Sequence, residues 1–176
     1  MQKALNGQDI VLALRLVSLG MNGSRPTLEK IGSALGIGPS GVRGSLEHLQ
    51  SARLADQERR PLLPQLDEFL VHGVQYSFPA SAGPPARGIP TAWGVEGLLP
   101  DYVSEGPVPV WRFGAGEVRG YELEPLSKRA LLARENDPVL YNLLALVDAL
   151  RLGDARVRAL ATDRLRQMLS SSRSDR

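Results

Sequence analysis

Residues able to do acid–base, nucleophilic or metal chemistry are few in this sequence and are not grouped. The histidines are His48 and His72, and cysteine is absent. A disulfide framework and a thiolate metal site are therefore excluded. Serine never stands in a Gly-x-Ser-x-Gly elbow. The carboxylates are scattered, without the paired spacing of general acid–base work or the pattern of a calcium loop. His72 follows the apolar face of a helical stretch and is expected to be half-buried rather than a ligand. Neither an enzyme nor a metal nor a cofactor is expected.

Chemistry of another kind sits between residues 27 and 60. Gly36, Gly38 and Gly41 spell a literal Gly-x-Gly-x-x-Gly. A dinucleotide cradle needs a strand before that motif, whereas an amphipathic helical stretch precedes it here. The glycines read instead as a helix stop, a turn and a helix start. Pro39, Ser40 and Gly41 open that next helix, where free amides and a hydroxyl suit a phosphate. Arg43, Gly44, Glu47 and His48 then fall on or near its exposed side. Arg43 has the fork that matches guanine O6 and N7, and Glu47 can accept from cytosine or stand in solvent. Thr27 at the preceding helix start, and Arg59 and Arg60 at a short turn, extend the candidate DNA surface. The blander alternative is a helical protein-interaction module with the same core.

Hydrophobic periodicity supplies the elements that hold these residues. Ile10, Val11, Leu14, Val17 and Leu19 predict a helix over 9–19. Met21-Asn22-Gly23-Ser24-Arg25-Pro26 reads as a turn. Leu28, Ile31 and Leu35 predict a second helix over 27–35, with Gly36 in the left-handed conformation. Val42, Leu46 and Leu49 give one face of a third helix over 39–52. From Leu54 to Pro61 there is room for little more than a minimal two-strand wing.

Thr27 to Leu54 resembles the winged helix-turn-helix of MarR-like bacterial regulators, and the unit it belongs to, residues 1–61, is about a third of the chain. The resemblance implies a duplex DNA-binding unit whose third helix enters the major groove. Gly44 departs from that pattern, which favours a polar residue there. The whole layout also resembles bacterial regulators with a winged helix, a proline-rich middle and a helical C-terminus.

Beyond the first unit, Leu63, Leu66, Phe69 and Leu70 predict a helix over 62–71. Residues 78–120 are rich in Pro and Gly and read as irregular and extended, with little strand beyond 109–113. Trp93, Tyr102, Trp111 and Phe113 argue that this stretch is ordered. It reads as a strap over the core or as a docking surface for a protein or small effector, with Arg87 and Trp93 as handles. Asp137-Pro138 signals a helix start, with Val139, Leu140, Leu143, Leu144, Val147 and Leu150 inward. Gly153 stops that helix and Asp154 caps the next, which carries Val157, Leu160, Leu165 and Met168. Residues 170–176 read as frayed.

The expected fold is mainly α, with units at 1–61, 62–124 and 125–170 and a disordered tail at 171–176. Net charge is only +2, but it is uneven. Residues 1–60 carry 8 basic and 5 acidic side chains, 61–125 carry 3 and 8, and 126–176 carry 10 and 6. A basic first unit suits phosphate contacts. Without a membrane-length apolar run or a signal-type leader, a cytoplasmic protein is expected. The function these features imply is a homodimeric transcriptional repressor, paired through surplus Leu and Val of the helical hairpin at 137–169. The alternative is an antitoxin or defence-system regulator that clamps a partner protein.

Overall fold

The computed structural model describes residues 4–20 and 24–174, so Met21, Asn22 and Gly23 of the expected turn lie outside the described residues. Helix α1 spans Gly7–Ser18. Asn6 caps it by accepting from the Asp9 amide at 3.1 Å, while Asp9 accepts from the Asn6 amide at 2.9 Å. This reciprocal pairing satisfies two donors that a helix start leaves open. Helix α2 spans Leu28–Ser33, and the Thr27 hydroxyl caps it by accepting from Lys30 N at 3.1 Å. Gly36 has φ +60°, which turns the chain sharply into α3, Pro39–Ser51. Ile31, Leu35, Ile37, Val42, Leu46 and Leu49 are buried together with α1's Ile10 and Leu14.

After α3 the chain makes one isolated antiparallel bridge, Ala55 to Pro61. Asp56 N donates to Arg60 O at 2.9 Å and Leu62 N to Leu54 O at 2.9 Å. The expected wing is therefore reduced to a single closed turn.

The helix expected over 62–71 is longer and interrupted. It consists of α4, Leu63–Glu68, a π-helical turn, Phe69–Gly73, and α5, Val74–Ser77. Leu63, Leu66, Leu70 and Val74 are all buried, at the i, i+3, i+7, i+11 spacing that keeps one helical face inward. His72 lies opposite this face and is exposed instead of half-buried.

The middle contains three strands rather than one: β1, Pro85–Pro90, β2, Pro109–Arg112, and β3, Val118–Glu122. Strand β1 runs antiparallel to β2, pairing Ile89 with Trp111, and to β3, pairing Arg87 with Arg119. Strands β2 and β3 pair in parallel, which closes the sheet on itself. Gly88 and Gly120 make this closure possible, since a Cβ at either would strike the backbone of Trp111 or Val108. A 3-10 turn at Ala92–Gly94 follows β1, and another at Lys128–Leu132 leads into α6, Ala133–Asn136.

Helix α7, Pro138–Leu152, begins as the sequence signalled, with Asp137 accepting from Leu140 N at 3.0 Å. Residues 143–150 are all buried, because α1, α5, α8 and the sheet region cover the helix from several sides. Leu140, Leu143, Leu144, Leu146 and Leu150 are thus spent on packing within the chain. Val139, expected inward, is 48% exposed. Helix α8, Ala155–Ser174, packs on α7 and runs through most of the expected frayed tail. Asp175 and Arg176 lie outside the described residues. One continuous apolar core runs from α1 through the sheet to α8.

Candidate nucleic-acid interface

Helix α3 is divided by burial. Val42, Ser45, Leu46 and Leu49 face the core, while Pro39, Ser40, Gly41, Arg43 and Glu47 are exposed and Gly44 is half-exposed. Its N-terminus is open, because Gly38 supplies no side-chain cap. Three features therefore coincide at the first two turns: uncapped amides, the Ser40 hydroxyl and the Arg43 guanidinium.

Two further arginines come to the same place from different loops. Partial burial, and after it the charges of Arg25 and Arg43, hold the Arg59 guanidinium below its ordinary pKa, with Glu58 opposing. Among the described residues, none of these three arginines forms an ion pair. Arg59 has φ +62°, and its Nη1 donates to Pro26 O at 2.8 Å. The short turn is thereby tied to the segment ahead of Thr27, and Arg59 is less mobile than a free wing tip. Arg60 is exposed, and its backbone N donates to Asp56 Oδ1 at 2.8 Å.

His48 does not join this surface. Its Nδ1 lies 2.9 Å from Oδ2 of Asp9, a fully buried carboxylate on α1. The histidine is turned inward and locks α3 to α1, contrary to the exposed, base-reading position expected for it. Asp9 is the neighbour that sequence reasoning missed, although Asn6-x-x-Asp9 carries the capping signal that locates it.

The turn between α2 and α3 is held from outside. Arg129 donates to Gly36 O at 2.9 Å and Asn136 to Ala34 O at 3.1 Å. Arg15 donates to Lys30 O at 2.9 Å, to Ile31 O at 3.2 Å and to Asp137 Oδ2 at 2.6 Å. These bonds satisfy carbonyls at the end of α2 and fix its angle to α3.

The other expected handles lie apart from α3. Trp93 is half-buried, its ring edge-on to Tyr102 at 6.1 Å, so it anchors the middle segment within the chain. Arg87 is exposed on β1. Among the described residues no group of His, Cys, Asp or Glu can hold a metal, and no helix is long and apolar enough to cross a membrane. Compared with protein families, with curated proteins and with solved structures, the chain matches none.

Proposed function

We propose that this protein binds duplex DNA through α3, with α2, the Gly36 turn and α3 acting as a helix-turn-helix and the protein serving as a homodimeric repressor-type regulator. The observation that carries this reading is the convergence of Arg43, Arg25 and Arg59 beside the open N-terminus of α3. Glu58 opposes but does not pair with these arginines, and like charges gathered without an ion pair make a positive potential that attracts an anion. A phosphate backbone is such an anion, and its repeated charge suits cations drawn from separate loops. Ser40 and the α3 amides would hold phosphates, and Arg43 would reach a base edge. Arg60, Thr27 and Glu47 flank this contact. The single-bridge turn offers little to a minor groove, so most affinity would come from phosphates.

Fluorescence anisotropy with a labelled duplex, repeated across salt concentrations, tests the reading. Binding should weaken steeply with salt, and Arg43→Ala should lose about 1–3 kcal/mol of binding free energy. Arg112→Ala, on the sheet, should change nothing, because Arg112 is paired with Glu122 at 3.2 Å. Absence of salt-dependent duplex binding at about 100 μM protein, the weak limit of ordinary non-specific affinity, would sink the proposal.

A further inference from the structure

Residues 61–125 carry three basic side chains among eight acidic ones, and all three, Arg87, Arg112 and Arg119, lie on the small sheet. Arg112 is neutralised by Glu122. Arg87 and Arg119 face each other directly across β1 and β3. Both are exposed, and among the described residues neither has a carboxylate within salt-bridge distance. Phe113 extends the row, since its N donates to Arg87 O at 3.1 Å and its ring is 44% exposed. Directly opposed like charges destabilise a sheet, and among the described residues no ion pair offsets this one. Arginine beside an exposed aromatic is the composition of an interface centre.

The complementary surface lies on the same chain. Asp101, Val103 and Glu105 are exposed, while the alternate residues Tyr102 and Ser104 are half-buried. Val103 is 83% exposed, and Tyr102 pins the strip inward against Trp93. Two exposed carboxylates thus stand on either side of an exposed apolar residue along the chain, the chemical counterpart of two guanidiniums beside a phenyl ring. The carboxylates scattered through 61–125 disfavour a polyanion such as DNA at this place.

We propose that two copies of this chain associate here, the Arg87–Arg119–Phe113 row of each seating on the Asp101–Val103–Glu105 strip of the other. A two-fold axis makes each contact twice. This interface replaces the one expected from α7 and α8, and it does not depend on DNA binding.

Sedimentation equilibrium at low salt, without DNA, tests it. The wild-type chain should be dimeric at or below about 100 μM and should dissociate as salt rises. Arg87→Ala with Arg119→Ala should weaken the dimer more than about tenfold. The double variants R87E/R119E and D101K/E105K should each be monomeric with unchanged circular dichroism. Mixed in equal amounts, those two should form a heterodimer, because both contacts regain opposite charges. A monomeric wild type at about 100 μM, a dimer that the charge reversals leave intact, or a mixture that stays monomeric would each overturn the proposal.

Discussion

Asp9 is fully buried, yet only one of its oxygens is well served. Oδ2 receives the Asn6 amide and His48 Nδ1, each at 2.9 Å, while Oδ1 has no hydrogen-bond partner among the described residues. Such a carboxylate persists because a helix N-terminus favours negative charge and His48 donates to it. Removing His48 leaves the buried oxygen short of a second donor. His48→Ala should therefore lower stability by about 1–3 kcal/mol, read as a lower urea midpoint at unchanged slope. DNA affinity, measured where both proteins are folded, should stay close to wild type. The reverse pattern, weakened DNA binding at an unchanged urea midpoint, would return His48 to the base-reading surface. Arg43, by contrast, was legible as an outward residue from spacing alone. The inward turn of His48 was not, because its partner lies 39 positions away.

Helix ends were readable where a side chain or ring encodes them. Thr27, Gly36, Pro39 and Asp137-Pro138 stand where capping chemistry puts them. Strands β1 and β3 were hidden, since Pro85-Ala86-Arg87-Gly88-Ile89-Pro90 lacks the β-branched run that marks a strand. They exist because three segments close on one another, which local propensity does not report. Val139 was misassigned for a related reason: α7 is covered on several sides, so one-face periodicity loses meaning along it. Tyr141 shows how this helix holds the sheet region. Its hydroxyl donates to Pro90 O at 2.5 Å and its ring packs edge-on to Trp111 at 5.8 Å. Burial pushes the phenol up to about 12, with Arg134 opposing. A folded pKa above the unfolded value of 10 means stability that is fully present below pH 10 and lost between pH 10 and about 12. Tyr141→Phe should cost about 1–2 kcal/mol near neutrality, by leaving Pro90 O without its donor. Urea unfolding from pH 8 to 11.5 should then show the gap to wild type narrowing above pH 10. A gap independent of pH would mean that the phenol ionises alike in both states.

Both ends of α7 carry a buried polar knot, and this makes the chain one mechanical body. At the C-terminal end Asp148 accepts from Thr91 at 2.7 Å, Trp111 at 2.7 Å and Arg151 at 2.8 Å. Burial raises the pKa of Asp148, while Arg151 and the two other donors oppose the shift. At the N-terminal end Asp137 accepts from Arg15 and from Ser18, and Arg15 also binds the end of α2. The α2–α3 unit and the sheet are thus joined through one rigid helix rather than through a linker, despite the composition changes near residues 61 and 125. Unfolding should accordingly be a single transition. Both tryptophans, Trp93 and Trp111, report on the sheet region, whereas far-ultraviolet circular dichroism reports mostly on helices. The two signals should give the same urea midpoint. Arg15→Met, which leaves Asp137 without its cation and the α2 carbonyls without a donor, should cost about 3–5 kcal/mol. It should move both midpoints down together, although Arg15 lies on α1. A helical transition that precedes the tryptophan change would show that the first unit unfolds alone and that α7 does not transmit the loss.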